Sequence, residues 1–211
     1  MKNPLLVLSA FWLATGCVSA QAASTIDLNV NGTITPSACE PSLSNGGVYE
    51  LGKIAANDLN IDQPTALANH TLQLGLTCEA PTLVALQPSD NRSGSHFDSA
   101  STHKFGLGLV NGNEKVGSMM LNMQAIVADG TEMYPIGSVG STAEWSPTSI
   151  LSTNFRTSFT NNRSTPFLAP TPIQRLVADV LIAPRIAPAN TLTLTREVPI
   201  DGSVTLELNY L

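Results

Sequence analysis

Three histidines, scattered carboxylates and plentiful serines are the side chains in this sequence whose types first suggest catalysis or metal binding. His96 and His103 frame Asp98 in a polar stretch, but their spacing fits no usual zinc arrangement, and a solvated loop explains all three. His70 stands beside an alternating apolar segment, where it reads as a surface or edge residue. Asp58 and Asp62 could pair as general acid and base, yet two acids near a turn ordinarily form a solvated face. Gly137-Ser138-Val139-Gly140-Ser141 is not a Gly-x-Ser-x-Gly nucleophile elbow, and no glycine-rich phosphate loop is present. Met119, Met120, Met123 and Met133 suit core and edge filling. The Asn-x-Ser/Thr triplets at Asn69, Asn91 and Asn162 are no more than so polar a chain yields by chance. No constellation predicts an active site, a metal or a cofactor, so the expectation is a protein that is not an enzyme.

The cysteines are more informative. The chain opens with Lys2, an apolar run from Pro4 to Ala14 and small residues around Ala20-Gln21-Ala22, the pattern of a secretory signal peptide over residues 1–22. Lipid attachment at Cys17, after Leu13-Ala14-Thr15-Gly16, is the less favoured reading of the same segment. Export leaves roughly 190 residues, enough for one domain, with Cys39 and Cys78 as its two cysteines. In an oxidising compartment that pair is expected as a disulfide. The net charge of −6, with only 10 Lys and Arg and no basic cluster, argues against a nucleic-acid partner.

The elements holding these residues read as β. Period-two alternation recurs at Ile26, Leu28, Val30, Gly32 and Ile34; at Leu72, Leu74 and Leu76 running into Cys78; and at Phe105, Leu107 and Leu109. It continues through Met119, Leu121, Met123 and Ala125, through Leu176 to Ile182, at Leu192 and Leu194, and at Val204, Leu206, Leu208 and Tyr210. Turn signals separate these runs at Asn45-Gly46-Gly47, Asn111-Gly112, Asp129-Gly130 and Asp201-Gly202. Pro88–His103 and Glu144–Pro172 read as long loops, the second carrying Trp145, Phe155, Phe159 and Phe167. Ala55–Leu67 is a weak helix candidate interrupted by Pro64. Many short strands between turns predict an all-β sandwich.

The two ends carry the functional signal. An extended, alternating segment precedes the first cysteine, and an alternating apolar strand closes the chain. Such ends either pair within one closed sandwich or complete a neighbour's, by adding a strand to an exposed edge. Val30-Asn31-Gly32-Thr33-Ile34 through Ala38-Cys39, a second cysteine at the end of an alternating strand, and Val204-Thr205-Leu206-Glu207-Leu208-Asn209-Tyr210-Leu211 with its penultimate aromatic resemble the chaperone–usher pilus subunits. Ile34-Thr35-Pro36-Ser37-Ala38-Cys39, Leu43-Ser44-Asn45-Gly46-Gly47 and Leu51-Gly52-Lys53-Ile54 are similar to a poorly characterised group of fimbrial-like exported proteins. The chain departs from the pilin pattern at Val198, where a glycine is usual, and in being longer than an ordinary shaft subunit.

The resemblance implies an immunoglobulin-like sandwich over residues 37–211 that lacks its final strand. Residues 23–36 would be a donor extension whose Ile26, Leu28, Val30 and Ile34 fill a neighbour's pockets, with Gly32 at a shallow point. Val204, Leu206, Leu208 and Tyr210 would line this subunit's own acceptor groove. The implied partners are a periplasmic chaperone, an outer-membrane usher and other pilus subunits. The implied location is the periplasm and then a surface fimbria with an adhesive role. Two rival expectations are a tip or adaptor adhesin, binding a host glycan or surface through its long loops, and a self-contained periplasmic sandwich.

Overall fold

The computed structural model describes residues 38–98, 101–140, 144–164 and 166–211. The signal segment, Cys17 and the extension bearing Ile26, Leu28, Val30, Gly32 and Ile34 lie outside the described residues. Eight strands of five or more residues run through the described chain: β1 Cys39–Leu43, β2 His70–Thr82, β3 Val84–Asp90, β4 Gly117–Ala128, β5 Tyr134–Val139, β6 Phe155–Thr160, β7 Ile173–Ile186 and β8 Val204–Tyr210. The all-β sandwich expected from the alternation is what forms.

One sheet has the order β1-β2-β7-β4 and ends on Phe105–Gly106; the other runs from Ser146–Pro147 through β5, β6 and β3 to β8. The pairings are antiparallel. Alternation does the work in β2, where Leu72, Leu74, Leu76 and Cys78 are buried while Thr71, Gln73 and Thr77 are exposed. In β7, Leu176, Ala178, Val180 and Ile182 point inward in the same way. These meet Val84, Leu86 and Phe159 from the facing sheet. A second cluster, Leu107, Val110, Val116 and Ile186, caps one end of the core with Leu192, Val198 and Ile200 against it.

Several expectations need correction. Ala125 does not share the core face of Met119, Leu121 and Met123. It sits at φ 48° in a bulge where the β4–β7 register shifts, so burial moves to Ile126 and Ala128. Ala55–Leu67 forms only a 3-10 turn at Ala56–Asp58 and the two-residue strand Thr65–Ala66, as Pro64 in an otherwise helix-like run would dictate. Leu192 and Leu194 follow a 3-10 turn and belong to no strand. The Glu144–Pro172 stretch is not one loop: β6 crosses the middle of the second sheet, with Phe159 1% exposed. Pro88–His103 likewise begins inside β3, whose last residue is Asp90. Asn111-Gly112 and Asp129-Gly130 do form hairpin turns, each pair with positive φ at both residues. Asp201-Gly202 does not; Gly202 packs so closely that a Cβ there would stand 2.7 Å from Leu107 Cδ2.

Candidate functional site: an open apolar groove

The last strand sets the site. Asn91 N–H donates to Ser203 O, and Leu211 N–H donates to Leu83 O, both at 3.0 Å, at either end of the β3–β8 ladder. Antiparallel pairs alternate, so Thr205, Glu207 and Asn209 exchange hydrogen bonds with β3. The peptide groups of Val204, Leu206, Leu208 and Tyr210 therefore face the outer edge of β8. Among the described residues no strand pairs there. The side chains of Val204, Leu206 and Leu208 are half-buried against the core.

The first strand supplies the opposite wall. Glu79 N–H donates to Ala38 O, so by the same alternation Glu40 and Ser42 bond to β2. Cys39, Pro41 and Leu43 then present their backbone to the outer edge, and Pro41 has no N–H to offer. Cys39 and Cys78 face each other in register and are joined by a disulfide, with Cα atoms 4.0 Å apart. This pairing, expected from composition and compartment, is present. The Cys39 N–H donates to the Tyr210 hydroxyl at 3.0 Å, which ties the ends of β1 and β8 across the gap between the sheets.

Beyond β1 a 3-10 turn at Ser44–Gly47 leads into chain outside any strand, which continues the wall. Tyr49, Leu51 and Ile54 line it, with Tyr49 stacked on His70 at 4.0 Å between ring centres. Facing them, Leu194, Val198 and Ile200 continue the β8 side. Between these walls lies an apolar groove of about 810 Å³ floored by Leu72, Leu121, Val180 and Ile182. Its rim carries an ion pair, Lys53 to Glu197 at 2.9 Å.

Charge fixes the surroundings. Arg92 grips the Asp201 carboxylate through Nε and Nη2 at 2.9 and 2.8 Å. That contact holds the Asp201 carboxyl below the ordinary aspartate range and raises Arg92 further. Glu114 accepts from Asn111 Nδ2 and from the backbone N–H and hydroxyl of Thr193, which lowers its pKa. Both carboxylates anchor the 192–202 segment to the body of the fold.

A family described as a protein of unknown function (DUF1120) matches residues 28–103. The chain is 25% identical to the uncharacterized protein YhcF of Escherichia coli K12 over the full length of both. It is 28% identical to the protein GltF of the same organism over 94% of each chain. The family match spans the second half of the extension, β1, the first groove rim and the disulfide.

The residues first considered for chemistry do not converge. His96 Nδ1 lies 2.8 Å from the Asp98 carbonyl, and the Asp98 carboxylate pairs with Lys104. Among the described residues no three His, Cys, Asp or Glu side chains gather as a metal site would require. Ser138 is buried within β5. Of the aromatics between Glu144 and Pro172, Phe159 is core, Trp145 lies 5.9 Å from the Arg156 guanidinium, and Phe167 projects at 86% exposure. Of the four residues that sequence reading set on the β8 wall, Val204 and Leu206 line the groove and Leu208 and Tyr210 do not; Tyr49, Leu51, Ile54 and the Lys53–Glu197 pair were missed. Leu51-Gly52-Lys53-Ile54 was visible only as a motif, with nothing local to say what it faces.

Proposed function

We propose that the chain is a structural subunit of a chaperone–usher type surface fibre with an adhesive role, assembled by donor-strand exchange. The observation that carries this reading is the groove itself. It is apolar inside, and one wall is a strand whose outer N–H and C=O groups have no strand partner among the described residues. Such an edge favours strand addition, in which main-chain bonds give affinity and alternate side chains give selectivity. An inserted strand needs about 10 Å between its flanking walls, twice the ~4.8 Å spacing.

Ile26, Leu28, Val30 and Ile34 of one subunit would fill the groove of the next, with Gly32 where the floor is shallow. Head-to-tail contacts of this sort do not close, so they propagate as a fibre. Before assembly, a periplasmic chaperone would lend its own strand to the same groove, and an outer-membrane usher would bring successive subunits together. The exported chain passes from periplasm to cell surface in this scheme.

A peptide of residues Thr25–Ala38 tests it. The chaperone-held subunit takes up this peptide, and a Gly32→Leu peptide enters more slowly or not at all, because overpacking costs roughly 1–3 kcal/mol. Truncation before Thr35 leaves the chaperone-held subunit folded but unable to extend a fibre. Equal uptake of the two peptides, or unfolding of the truncated chain, overturns the reading in favour of a self-contained sandwich.

A further inference from the structure

We propose that Lys53 and Glu197 form a clasp across one end of the groove, which must part for a strand to be laid in from the side. This rests on the groove being a strand acceptor, but the clasp itself stands on separate observations. Lys53 sits on the rim formed by the chain after β1, and Glu197 on the rim formed by the chain before β8. The two residues are 144 positions apart, yet Nζ and Oε1 meet at 2.9 Å. On either side of them Leu51 and Ile54 line the groove from one rim, and Leu194 and Val198 from the other.

Neither rim is held by a sheet ladder where the clasp sits. Gly52, beside Lys53, adopts φ 69°, outside the β region, so that rim cannot continue as a regular strand. Across the groove, Thr193 is pinned by Glu114, and the neighbouring Arg196 donates to Asn111 Oδ1 at 3.2 Å. The side of Glu197 is thus anchored, and Lys53 carries the movable half. At the other end the Tyr210–Cys39 hydrogen bond closes the same gap, backed by the disulfide. The gap between the two edges is therefore bridged twice, once by groups locked into sheet and disulfide and once, across the groove, by two solvent-exposed charges.

Both partners are about nine-tenths exposed, at 90% and 88% of the side chain, so the pair is screened and labile. That is what a clasp needs: enough attraction to keep the two rims together, too little to resist a strand that brings its own main-chain bonds. Parting it leaves no buried charge, since both groups return to water.

Hydrogen–deuterium exchange on the purified exported chain tests the clasp without any donor strand. Lys53→Met is expected to raise exchange at Val48, Leu192 and Thr193, the rim amides that donate hydrogen bonds, together by roughly two- to fivefold, the scale of one exposed pair. Exchange in β2 and β7 should stay unchanged. The reversal Lys53→Glu opens both rims further, and Lys53→Glu with Glu197→Lys restores the native rates. High salt reproduces the Lys53→Met pattern in the native chain and adds nothing to the variant. Unchanged exchange in Lys53→Met, or failure of the double reversal to restore it, overturns the clasp. If the clasp behaves as stated while no variant takes up the Thr25–Ala38 peptide, the strand-acceptor reading fails instead. If both hold, the purified Lys53→Met chain, free of chaperone, takes up the peptide two- to fivefold faster than the native chain.

Discussion

The gap between the two sheet edges, of which the groove is the wider part, has two ends that are built differently. At the Tyr210 end its walls are β1 and β8, each laddered to a neighbour on its inner side, with a disulfide pinning Cys39 to Cys78. At the Lys53 end the walls are chain without sheet partners, held by Arg92–Asp201, by Glu114 on Thr193 and by Lys53–Glu197. One end is fixed by a disulfide and sheet ladders, the other by apolar packing of Leu192, Val198 and Ile200, one bond from Asp201 N–H to Leu107 O, and exposed side-chain charge. Main-chain ladders resist salt and acid, whereas exposed ion pairs are screened and titrate. The two ends should therefore respond to different insults.

The largest contrast comes from the disulfide. Replacing Cys39 and Cys78 by Ser should cost about 4 kcal/mol if chain entropy governs, because the bridge closes a loop of 39 residues. Thermal melting with and without reductant measures this; a melting point indifferent to reductant would break the contrast at once. Core truncations come next. Leu86→Ala, beneath the strand-walled end, should lose about 3–4 kcal/mol in denaturant unfolding, since packed sheets on both sides cannot collapse into the void. Leu107→Ala, in the smaller cluster under the other end, should lose about 2 kcal/mol, because the 192–202 chain can settle toward it. Equal losses would mean that the two ends are equally rigid.

Smaller still is Tyr210→Phe, which removes the hydroxyl that accepts from Cys39 N–H. A loss of about 1 kcal/mol or less is expected, with faster amide exchange confined to the Cys39 end. The smallest effect is that of acid. Asp201 and Glu114 have lowered pKa values in the folded chain, so their contribution is present above their unfolded pKa and is lost as pH falls through the folded one. Lowering the pH below the ordinary carboxylate range should loosen residues 192–202 while the β1–β2 pairing persists. Amide exchange at successive pH values would show it, and simultaneous loosening of both ends would sink the distinction.

What the sequence disclosed follows the same division. Strands that bury one face announce themselves by alternation, so β2, β7 and β8 were legible, and with them the inward faces of Val204, Leu206 and Leu208. β6 was not. Its Phe155-Arg156-Thr157-Ser158-Phe159-Thr160 buries hydroxyl residues on both faces, with Ser158 Oγ donating to Val84 O at 2.6 Å, so it reads as polar loop. The bulge at Ala125 was hidden for a related reason: a shift of phase leaves composition untouched. The Lys53 rim was illegible because its form depends on partners about 140 residues away and on no local periodicity.

Pro41 has a consequence that reaches past binding. It stands at the middle outward-facing position of β1, an edge whose Cys39 N–H is already engaged by Tyr210. That leaves Leu43 as the one outward residue on this edge with an N–H still to give. A growing cross-β stack needs an uninterrupted row of donors and acceptors, and this row is broken at its centre. A protein that presents one long edge at β8 thus keeps its other groove-side edge from seeding amyloid-like aggregation, even at high local concentration.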